Sequence, residues 1–137
     1  VPGIQQVMNS LASLNLQDKA TFATMNVFGR DLSGTSKVNA RNGRDHFGNH
    51  AAMIMIGKNI NPGVTGGVSH IANGVYGASG IVSSSGFSSD GGDIKRADTH
   101  LAAAKTLGVA LGIDAAQLTK NFTDNGRVKH VSSTIKG

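Results

Sequence analysis

The chain has 137 residues, no Cys, no Trp, 19 Gly and a formal net charge of +5. The lack of Cys excludes a disulfide scaffold, cysteine-ligated zinc and thiol catalysis. With 39% hydrophobic and 15% charged residues, the sequence suits one modest core, not a coiled coil or a polyelectrolyte tail. All eight acidic residues are Asp. The thirteen basic residues are scattered and only six aromatics accompany them. The positive balance therefore reflects missing Glu more than a basic patch, and specific nucleic-acid binding is not expected. No stretch approaches the roughly 20 apolar residues of a membrane span, and no signal peptide stands out. The start at Val1 suggests a processed product or part of a longer polypeptide.

Ile4, Val7, Met8, Leu11 and Leu14 recur at three- and four-residue spacing, which predicts a helix over 3–15 with Asn15 as its stop. Residues 20–28 read as a strand, broken at Gly29. Residues 30–50 read as a polar loop. The unbroken apolar run 51–56, Ala-Ala-Met-Ile-Met-Ile, predicts a central strand covered on both faces. Asn61-Pro62-Gly63 signals a turn. Residues 63–93 are rich in Gly and Ser. Val68, Ile71, Tyr76, Ile81 and Phe87 interrupt them, so an ordered excursion is expected, with short strands near 75–76 and 81–82, rather than a flexible linker.

A helix over 98–111 follows, with Asp98 as its cap and Leu101, Ala104, Leu107, Gly108 and Leu111 as its apolar stripe. Gly112 stops it. Asp114 caps a short helix over 115–120, and the polar tail 121–137 is expected to fray or to pair as an edge. The chain thus divides into 1–62, 63–95 and 96–137. Helices and buried strands in alternation predict an α/β layer architecture.

The chemistry concentrates at 42–50, Asn-Gly-Arg-Asp-His-Phe-Gly-Asn-His, between two predicted strands. In open α/β sheets, ligands sit on loops beyond strand ends. The carboxylate of Asp45 and the imidazole of His46 are ordinary ligands for a divalent metal, with His50 as a further candidate. Arg30 and Arg44 can hold an oxyanion through a bidentate fork. A hydrogen-bonded loop brace is the plainer reading of the same residues. His70, His100 and His130 read as loop, helix-turn and tail histidines. Asn121-Phe122-Thr123 is a formal glycosylation triplet of little weight.

Phe28-Gly29-Arg30, then Gly43-Arg44-Asp45-His46-Phe47, then Met53-Ile54-Met55-Ile56-Gly57 and Gly63-Val64-Thr65-Gly66-Gly67, then Ala97-Asp98-Thr99-His100 and Leu111-Gly112-Ile113-Asp114 form an ordered series. The series resembles the C-terminal region of the sulfatase-like DUF1501 family of the alkaline phosphatase superfamily, over about Leu11 to Leu118. The resemblance implies an α/β/α sandwich and a metal-supported site for phosphate or sulfate ester hydrolysis. It implies Asp45 and His46 as metal ligands, with Zn, Ca, Mg or Mn as the ion, and Arg30 and Arg44 as oxyanion-binding residues. Val27 stands where the family pattern has Glu, and the family's nucleophile lies in an N-terminal half not contained in this sequence. The expectation is therefore a C-terminal segment of a periplasmic or secreted protein. Its metal site is incomplete and inactive alone, and its partner is the N-terminal remainder of the same polypeptide. A second expectation, from another class, is a structural or self-assembling extracellular protein, a homo-oligomer that keeps the fold without catalysis.

Overall fold

The structure, a computed structural model, describes residues 2–26, 28–31, 45–47, 52–72 and 75–137. It is mixed α/β. Helix α1 spans Pro2–Ser13 and is followed by a short 3-10 turn, Gln17–Lys19. Strands β1 (Thr21–Met25), β2 (Gly29–Asp31), β3 (Asp45–Phe47), β4 (Met53–Gly57), β5 (Val68–Ala72) and β6 (Val75–Ala78) come next. Helices α2 (Thr99–Ala110) and α3 (Ala115–Asn121) close the series. Among the described residues the strands pair as three separate antiparallel ribbons, β1 with β4, β2 with β3 and β5 with β6.

Helix α1 stops as its sequence dictates. Asn15 takes a left-handed φ of 55°, and the amides of Asn15 and Leu16 close back on the carbonyls of Ala12 and Leu11, a Schellman end. The apolar face of α1 contains no buried residue. Strands β1 and β4 run from Thr21 opposite Gly57 to Met25 opposite Met53. Asn26 clamps the open end: its amide donates to the Ala52 carbonyl, and its side-chain oxygen accepts from the Ala52 amide. The expectation of a central, doubly covered strand at 51–56 does not hold. β4 has one strand neighbour among the described residues, and Ile54 is 52% exposed. An antiparallel ribbon buries at most one face, so alternate apolar residues stay in water. The predicted polar loop 30–50 holds β2 and β3 at its two ends.

The excursion 63–93 is ordered, and of the residues expected to anchor it Ile81 does so from the core. Val68, Tyr76 and Phe87 are 58%, 59% and 74% exposed. Its order comes from Ile81, whose backbone exchanges hydrogen bonds with Ile94, and from Asp93. That carboxylate accepts from the amide and hydroxyl of Ser83 at 2.8 and 2.6 Å. Gly92 lies so close to the Ile81 backbone that an added Cβ would overlap the Ile81 carbonyl.

The core gathers Ile81, Ile94, Ala102, Val128 and Val131, with Leu101 packed against it. Helix α2 buries Ala102, Lys105, Thr106, Gly108 and Ala110, so of the expected stripe Gly108 is buried and Leu101 packs against the core, while Ala104 and Leu107 are half-buried. Leu111 is 56% exposed. Small residues win these positions because neighbouring segments come close: a Cβ on Gly108 would lie 2.6 Å from Leu118 Cδ2. Gly112 ends α2 at φ 81°, and Asp114 caps α3 by accepting from the Ala116 amide at 2.7 Å. The tail does not fray. Val128 and Val131 are buried, Ile135 bridges to Ile60, and the Ser132 amide donates to the Ser83 carbonyl.

Candidate functional site

The polar segment between the two early strands is brought into register by β2 and β3. Gly29 pairs with Phe47, Arg30 with His46, and Asp31 with Asp45. Three of the residues singled out from the sequence, Arg30, Asp45 and His46, therefore share one short ribbon. Arg44, His50 and Val27 lie outside the described residues. Asp31 is the residue that sequence reasoning missed. Its signal was its place directly after Arg30, but only the pairing puts it opposite Asp45.

Directly opposed positions in an antiparallel pair stand roughly 4.5–5.5 Å apart at Cβ, and like charges there are destabilising. Positions 31 and 45 both carry Asp, beside the Arg30–His46 pair. Successive strand positions alternate faces, so positions 31 and 45 share one face of the ribbon and positions 30 and 46 the other.

The other polar clusters are built as braces. Lys105 Nζ donates to both carboxylate oxygens of Asp124 at 2.8 and 2.7 Å and to the Val128 carbonyl at 2.9 Å. All three ammonium protons are thus used, and the Phe122 ring lies 5.6 Å away. The Lys105 ammonium, helped by the Val128 amide, holds the Asp124 carboxyl at about 2, below its ordinary 3.8. Hydrogen bonds from Ser83, then the Lys129 ammonium, push the Asp93 carboxyl well below the usual carboxylate range. Asp98 was expected to cap α2 with its side chain, and this is corrected. The carboxylate makes no cap bond but pairs bidentately with Arg127, at 2.7 and 2.9 Å. That guanidinium lowers the Asp98 carboxyl and is itself raised by it. A planar fork matches a carboxylate better than a free helix amide does.

His70 stacks edge-on against Tyr76 with ring centres 5.3 Å apart. His100 lies in the first turn of α2, and His130 in the tail. Among the described residues no three His, Cys, Asp or Glu come together as a metal centre, and no helix is long and apolar enough to cross a membrane.

A second feature is a groove of about 900 Å³ between the β1–β4 ribbon and the C-terminal half. Met25, Met53 and Met55 line one wall, Ala103 and Val131 the other. Lys136 is the one ionisable residue among its described lining. Ser79 also lines it; its buried hydroxyl has no hydrogen-bond partner among the described residues.

No family model, curated protein or solved structure matches this chain.

Proposed function

We propose that this chain is the C-terminal segment of an exported sulfatase- or phosphatase-like protein of the DUF1501 type. In this reading it contributes the late part of an alkaline-phosphatase-like α/β/α sandwich. Asp45 and His46 serve as metal ligands, and Arg30 and Arg44 receive the oxyanion of a phosphate or sulfate ester. The observation that carries the reading is the β2–β3 register. It sets Arg30 opposite His46 and Asp31 opposite Asp45, although the two motifs lie on either side of the polar segment. A site built this way stabilises negative charge on an ester oxygen by metal and guanidinium together. The chain carries no catalytic nucleophile in this reading, so it binds metal and does not turn over.

The reading is tested by equilibrium dialysis against Zn²⁺, Mn²⁺, Ca²⁺ and Mg²⁺, with bound metal measured by mass spectrometry. Retention of one ion that Asp45→Asn and His46→Ala each weaken by about tenfold or more is the expected result. Metal retention unchanged by both substitutions would sink the reading. A second reading, a non-catalytic assembly protein, is favoured by the open apolar groove and by Val27 in place of a carboxylate.

A further inference from the structure

We draw no further inference here: the strongest candidate, the apolar groove between the β1–β4 ribbon and the C-terminal half, carries nothing because no feature of the structure shows what covers it, and the partnerless Ser79 hydroxyl in its lining is buried out of reach of anything that enters.

Discussion

Ile54 and Ile94 are the same side chain in two settings: 52% exposed on the β1–β4 ribbon and 1% exposed beneath α2. The contrast extends to their surroundings. Among the described residues the buried apolar side chains run from Ala78, at the end of β6, to Val131. Helix α1 and strand β1 contain none. The early half is apolar enough to form a core, with Ile4, Met8 and Leu11 at helical spacing and the unbroken apolar run 51–56. Among the described residues it has no third layer. A two-stranded ribbon and one short helix cannot surround a side chain. The later half succeeds because its segments return across one another. Ile81 bonds to Ile94, the Ser132 amide to Ser83, and the Val131 amide to the Thr106 hydroxyl, 25 residues away. Crossing connections, more than composition, decide where burial occurs.

The largest expected effect lies at the buried member of the pair. Ile94→Ala removes a fully enclosed side chain and should cost about 2–5 kcal/mol in urea denaturation.

Acid should act next. The Asp124 carboxyl is held at about 2 against an ordinary 3.8, and Asp93 and Asp98 are lowered as well. A carboxyl lowered by folding stabilises the folded form fully above its ordinary value. That contribution fades as pH falls toward the folded value. Stability of the later half should therefore drop between about pH 4 and pH 2, read by denaturant titration at each pH. Asp124→Asn should flatten that dependence; an unchanged slope would remove Asp124 from the account. In the early half the described ion pair is Lys58 with Asp18, at 3.6 Å and about 60% exposed on both sides, and it adds little.

The smallest effect is expected at Ile54→Ala, within about 0.5 kcal/mol in the same assay. A loss approaching that of Ile94→Ala would mean that the ribbon face is covered in solution.

Local signals were legible in the sequence where the chain decides alone. Asn15 and Gly112 end their helices in left-handed conformations, and Asp114 caps α3 through its neighbouring amides. Reading failed where distant partners compete for a side chain. Asp98 had the position of a cap, but Arg127, 29 residues on, takes its carboxylate. Lys105 sits where a periodic pattern expects a solvated charge, and burial becomes tolerable only because Asp124 and Val128 absorb all its protons. Of the candidate site, Asp45 and His46 stood out as a pair on residue type alone. Their pairing with Arg30 and Asp31 depends on strand register, which a polar segment with weak alternation does not encode.

Hydrogen exchange followed residue by residue, on chain dilute enough to be monomeric, tests the contrast between the halves most directly. The account predicts slow exchange at the Ile81, Ile94 and Ser132 amides, with protection approaching that of global unfolding. It predicts faster exchange by several orders of magnitude at the amides of β1 and β4. Equal protection in the two halves would contradict it.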